Sequence, residues 1–187
     1  MAKKKKGSTT PKGMAKSKNI IKLSLSRIVT LVVIIVLVLF FVFNNFVKEN
    51  EPELKYYTFK KEGELTFTDS LGNTKIKIDL EIADNEYERQ LGLMNRKSIE
   101  ETQGMLFIFS TERLQSFWMR NTLIPLDMLF INKNKEIITI HKNTKVLSAQ
   151  SYPSTEPAMY VVEVIGGFTD KYDIVAGDKI FWMGTKL

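Results

Sequence analysis

A chain of 187 residues, with 27 Lys and Arg against 21 Asp and Glu, has room for one domain plus appendages. It has no cysteine, which excludes disulfides, thiolate metal sites, a cysteine nucleophile and lipid attachment through sulfur. Residues 1–27 hold nine of the cations and no acid, leaving 18 basic against 21 acidic groups, a net −3, in the rest; the basic balance therefore marks no nucleic-acid-binding face on the folded part, and no nucleic-acid partner is expected.

The run Lys3 to Lys6 opens a basic tail, residues 1–27, placed directly before an apolar stretch. That placement holds the tail in the cytoplasm and explains the lysines more simply than a nuclear or nucleic-acid patch. Residues 28–43 are apolar except for Thr30, and Phe46 and Val47 carry the stretch to residue 47. Twenty residues rising about 1.5 Å each span roughly 30 Å, the hydrocarbon thickness of a bilayer. Lipid leaves no partner for backbone polar groups, so the span is expected to be a transmembrane helix, with Lys22 and Arg27 reaching the headgroups. A cleaved signal peptide needs a shorter apolar core and small residues at the cut; residues 44–53 have no such pattern, so a retained anchor is favoured. The lipid bilayer is then a partner through residues 28–47, residues 48–55 with Pro52 form a linker, and residues 56–187 form a domain outside the cytoplasm, periplasmic or on the cell surface.

Within that domain Ile76, Ile78, Leu80 and Ile82 alternate with Lys75, Lys77, Asp79 and Glu81, a strand with one buried face. Residues 65–68 precede it as the other arm of a hairpin turning at 69–73. Asp84 is a plausible N-cap for a helix of about two turns, with Glu86 and Glu88 in its first turn and Gly92 to stop it. Residues 105–109 read as a buried strand and 115–119 as its partner across a turn. Residues 126–131 and 136–141 read as a second hairpin, 159–165 as a strand, 170–174 as a helical turn and 179–183 as the last strand. About eight short strands with one or two short helices predict a mainly β domain, a sandwich or a partly closed barrel.

Residues 117–127 put Phe117, Trp118, Arg120, Asn121 and Asp127 into eleven positions. With Gly92-Leu93-Met94, Gly104-Met105-Leu106-Phe107, Tyr152-Pro153, Val162-Glu163 and Gly177-Asp178, this segment resembles the domain of unknown function 192 family, over about residues 78–180. The resemblance implies a compact β structure like a jelly-roll sandwich. It carries over no activity, cofactor or site residue.

The candidate ligand-binding residues are therefore read from chemistry alone: Trp118, Arg120, Asn121 and Asp127. Asp127 shares a strand face with Leu129 and Ile131, where a carboxylate has its charged form disfavoured unless donors or a cation compensate. It is read either as an acid, base or ligand contact, or as a structural partner of Arg120 or of the amides of the Arg120 to Thr122 turn. Trp118 is a platform for a flat ligand or a rim aromatic. Met94, Met105, Met119 and Met128 read as core filling. His141, the one histidine, reads as a sheet-edge residue, and Glu163 as a solvated residue or an arginine's partner. No serine lies in a glycine-flanked elbow, and no metal, cofactor or catalytic constellation is expected. The leading expectation is a membrane-anchored binding or interaction module for a polar envelope ligand or envelope protein. The alternatives are an envelope hydrolase using Asp127 as general acid or base with His141 or Glu163 as its partner, and a structural subunit of a membrane assembly.

Overall fold

The structure, a computed structural model, describes residues 24–49 and 56–184. The basic tail up to residue 23 and the linker residues 50–55 lie outside the described residues. The chain divides into two units between Glu53 and Leu54. The first contains α1 (Leu25–Glu49), which begins three residues before and ends two residues after the expected span. Its segment Leu25–Phe46 is 22 residues long, apolar, wholly unburied, and sufficient in length and composition to cross a membrane.

The second unit is mainly β. Its strands are β1 (Gly63–Thr68), β2 (Thr74–Ala83), β3 (Gln103–Arg113), β4 (Ser116–Phe117), β5 (Leu126–Ile131), β6 (Ile137–His141), β7 (Tyr152–Pro153), β8 (Ala158–Ile165) and β9 (Lys179–Gly184). Two short helices, α2 (Glu86–Leu91) and α3 (Phe168–Lys171), complete it. Seven strands form one mixed sheet in the order β6-β5-β8-β3-β2-β1-β9, and β4 pairs with β7 alone. The sheet curls until its edges nearly meet: Glu136 and Lys179 form an isolated bridge, and Ile180 donates to the Lys135 carbonyl at 2.9 Å. The ladder does not close, so the form is a partly closed barrel.

Alternation along the strands builds two cores. Leu65, Phe67, Ile78, Leu80, Leu106, Leu129, Val162, Val164 and Ile180 fill the inside of the curl, with Phe168 of α3 packed against them. The opposite face carries Met105, Phe107, Met128, Phe130 and Val161, which join Met119 and Tyr152 in a second cluster. A sheet face that met water would carry polar residues there; this one is covered.

Both expected hairpins form, β1 with β2 and β5 with β6. The expected pairing of residues 115–119 with the strand before them does not. β3 already lies between β2 and β8, so β4 has no free edge there and pairs with the two-residue β7 instead. The helix cap also moves by one residue. Asn85, not Asp84, caps α2, its side chain accepting from the Glu88 amide at 3.0 Å. Asn85→Ala is expected to cost about 1 kcal/mol, read as a lower urea midpoint, because that amide loses its partner at the helix start.

Candidate functional site

Register across the sheet fixes one row of side chains. Glu81 lies opposite Met105, Met105 opposite Glu163, Glu163 opposite Met128 and Met128 opposite His141. Cross-strand partners share a face, and neighbouring strands are about 4.8 Å apart, so two carboxyl-bearing strands flank β3 roughly 10 Å apart on the covered face. Both carboxyl groups are buried, Glu81 at 6 % and Glu163 at 4 % exposure.

They are treated differently. Glu81 is ion-paired with the Nη2 group of Arg96 and also accepts from the Lys60 amide at 2.5 Å. Glu163 receives no hydrogen bond among the described residues; the charge of Arg96 acts on it, but burial outweighs that attraction and pushes its carboxyl up to about 8. At neutral pH Glu163 therefore keeps its proton. Arg96 is itself 4 % exposed, and its Nε and Nη1 groups have no partner among the described residues. Buried polar groups are nearly always satisfied, so an arginine with idle donors beside an unpartnered carboxyl is unusual.

Glu163 opens on a cleft of about 400 Å³ between α2 with its following residues Gly92 to Met94 and the strands β3 and β4. Phe107, Phe109 and Phe117 line it, with Gln115, Trp118 and Thr122. Phe117 stands edge-on to Phe107, with ring centroids 5.0 Å apart at 85°. Arg89 lies over Phe109, 5.4 Å from the ring centroid, and is held by the carbonyls of Asp84 at 2.6 Å and Ile108 at 3.0 Å. Gly92 ends α2 at φ 50°, ψ −138°. A side chain there would be strained, and its Cβ would sit 3.2 Å from Phe107 Cζ and 3.9 Å from the Glu163 Oε2. Glycine at this point leaves the space beside the Glu163 Oε2 free of a side chain.

Of the residues singled out in the sequence, Trp118, Arg120 and Asn121 fall in one loop. Trp118 lines the cleft and is 51 % exposed, with the Arg120 guanidinium 4.5 Å from its ring centroid. Asn121 is exposed at φ 56°, and its carbonyl accepts from the Asn95 amide at 2.8 Å. Asp127 is elsewhere. It faces the inner core and is fully buried, opposite Val164 rather than Glu163. Its Oδ1 accepts from the amides of Asn143 at 2.8 Å and Gly167 at 3.1 Å; its Oδ2 accepts from the amide and hydroxyl of Thr169 at 2.9 and 2.6 Å. Neither Arg120 nor the amides of the Arg120 to Thr122 turn are its partners. The carboxylate holds the start of α3 against the barrel end.

His141 lies on the edge strand β6, with Nε2 and the Pro153 carbonyl 2.8 Å apart, which places the proton on that nitrogen. Glu163 does project opposite Val162 and Val164, yet it is buried instead of solvated. Sequence reasoning did not single out Arg96 or the role of Gly92. The signal for them was the register of Glu81 with Glu163, which needs the parallel pairing of β2 with β3 to be known.

The model of the DUF192 family, described as "Uncharacterized ACR", matches residues 68–182. A UPF0127 protein of Pyrococcus furiosus is 29 % identical over 113 residues, 58 % of this chain and 90 % of that protein. Among solved structures, a candidate transcription regulator from Sinorhizobium meliloti 1021 shares 34 % identity at a TM-score of 0.62, covering 71 % of this chain and 100 % of the other. A protein of unknown function from Novosphingobium aromaticivorans shares 31 % identity at a TM-score of 0.60, covering 64 % and 84 %.

Proposed function

Because the chain belongs to the uncharacterised DUF192 family, which brings no reaction with it, we propose from its own geometry that it is a membrane-anchored domain that binds a small ligand in the Glu163 cleft on the far side of the membrane from the cytoplasm. The observation that carries the reading is Glu163: a carboxyl 4 % exposed, without a hydrogen-bond partner among the described residues, lining a cleft of about 400 Å³. Ligand sites combine apolar walls with a few converging polar groups, and this cleft has three phenylalanines around one idle carboxyl. Trp118 stands at its rim, with Arg120 and Asn121 in the same loop, and Asp127 supports the fold at the start of α3. A hydrolase based on Asp127 draws less support, since both oxygens of that group are occupied by four donors.

The anchoring half of the proposal rests on the unburied apolar segment Leu25–Phe46 and on nine cations with no acid in residues 1–27, which keep that end inside. The binding half is tested by screening small molecules against the full-length chain in detergent, reading thermal stability with Glu163→Leu and Trp118→Ala as controls. A ligand at 100 times its Kd adds about 2.7 kcal/mol to the native state. The reading expects hits that both variants weaken; hits insensitive to both substitutions would contradict it. Protease added outside intact cells should remove a carboxyl-terminal tag, and protection of that tag would contradict the topology.

A further inference from the structure

The shape and charge of the cleft point to a class of ligand, an inference that rests on the binding reading above. We propose that the cleft selects a flat, uncharged ring bearing a lactam edge, a ring N–H beside a ring carbonyl, which pairs with the Glu163 carboxyl while its faces pack on Phe107, Phe117 and Trp118.

Three observations carry it. First, the charge around the cleft disfavours a cation. Arg89 forms part of its wall, Arg113 is exposed at its edge, and Arg96 stands behind Glu163, whereas the acidic group at the mouth is Glu86. An anion driven down to the phenylalanines would lose its hydration, and the cations nearest the floor are already engaged in part, Arg96 through Nη2 with Glu81 and Arg89 with two carbonyls. An uncharged group is what the floor can take. Second, Glu163 holding its proton offers an O–H donor and a carbonyl acceptor side by side. Its complement is an N–H and a C=O on the same side of one amide. An open-chain secondary amide is trans and turns these groups in opposite directions, and making it cis is costly. A ring locks them together at no such cost. Third, the walls are aromatic: Phe107 and Phe117 meet at 85° deep in the cleft and Trp118 stands half exposed at the rim, so a planar ring finds a face to stack on at the rim and aromatic surface below it. Gly92 keeps the approach to the carboxyl open, since a Cβ there would already touch the Glu163 Oε2 at 3.9 Å.

The probe is carbostyril, a benzo-fused lactam, titrated into the full-length chain in detergent micelles and followed by NMR at the Trp118 indole N–H and the Gly92 amide. With two tryptophans in the chain the indole signals are readily assigned. N-methylcarbostyril, benzyltrimethylammonium and hexanoate are the comparison probes. Carbostyril is expected to shift both signals saturably. N-methylation should weaken it at least about tenfold, the worth of one or two hydrogen bonds. Glu163→Gln should keep binding within about threefold, because its amide retains a donor beside an acceptor, and Glu163→Leu should lose it as N-methylation does. Equal binding of the two carbostyrils, or loss in Glu163→Gln, would overturn the lactam inference. A response to the ammonium or to hexanoate without one to carbostyril would overturn it while leaving a binding cleft; silence from all four probes would remove both readings.

Discussion

Glu163→Gln is expected to stabilise the β domain by up to about 5 kcal/mol at pH 8 and to change it little near pH 4.5. The sign follows from proton linkage. Below about pH 4.5 this carboxyl is protonated in the folded and the unfolded chain alike, so burial costs nothing extra in ionisation. As the pH rises, the unfolded chain gives up the proton near its ordinary value of 4.5, while the folded chain holds it until about 8. Between those values the native state binds more protons, and stability falls by about 1.4 kcal/mol per pH unit. Glutamine has a similar shape and hydrogen-bonding edge and no proton to lose, so the variant should escape that decline. Urea unfolding of both proteins at about pH 4.5, 6 and 8 reads the effect. Curves that diverge steadily with pH are expected; parallel curves would mean that Glu163 is not a buried, proton-retaining carboxyl.

Asp127→Ala is expected to cost about 3–5 kcal/mol, the scale for leaving buried hydrogen-bonding groups without their charged partner. Three backbone amides and one hydroxyl converge on this fully buried group. Removing it strands the amides of Asn143, Gly167 and Thr169 together, at the point where α3 is tied to the barrel. Amide exchange at Gly167 and Thr169 should accelerate with the loss of global stability, while the Trp118 indole signal of the remaining folded protein stays in place. A change below about 1 kcal/mol would show that other groups or water replace the carboxylate at little cost. A ligand response abolished without loss of stability would instead make Asp127 a contact residue.

The parts of the fold that were legible from sequence are those set by local rules. Alternation at Ile76, Ile78, Leu80 and Ile82 identifies β2, and Gly92 marks the end of α2, because a period of two and a residue tolerant of positive φ each have one physical reading. Pairing over distance was less legible. β7 is two residues long and contains a proline, so it has no pattern to recognise, and without it β4 seemed to belong beside β3. The same gap concealed the site. In Val162-Glu163-Val164 the odd residue out of the inner core is ordinarily a residue in water. Only the covering of that face by the loop after α2 and by the β4-β7 pair turns it into a buried acid. Asp127 was harder in the opposite sense. Its apolar neighbours signalled burial, but the donors that satisfy it come largely from Gly167 and Thr169, some forty residues away. Trp118, Arg120 and Asn121 were visible because polar and aromatic groups crowd one loop; of the three, Trp118 lines the cleft, with Arg120 over its ring.

The most direct measurement is a carbon-13 NMR titration of the Glu163 carboxyl carbon in the full-length chain, assigned by its loss in Glu163→Gln. A midpoint near 8 is expected, far above a glutamate's ordinary value of 4.5. A midpoint near 4.5 would mean that the carboxyl is charged at neutral pH and in contact with water or a cation, and the cleft would then have no neutral acid at its floor.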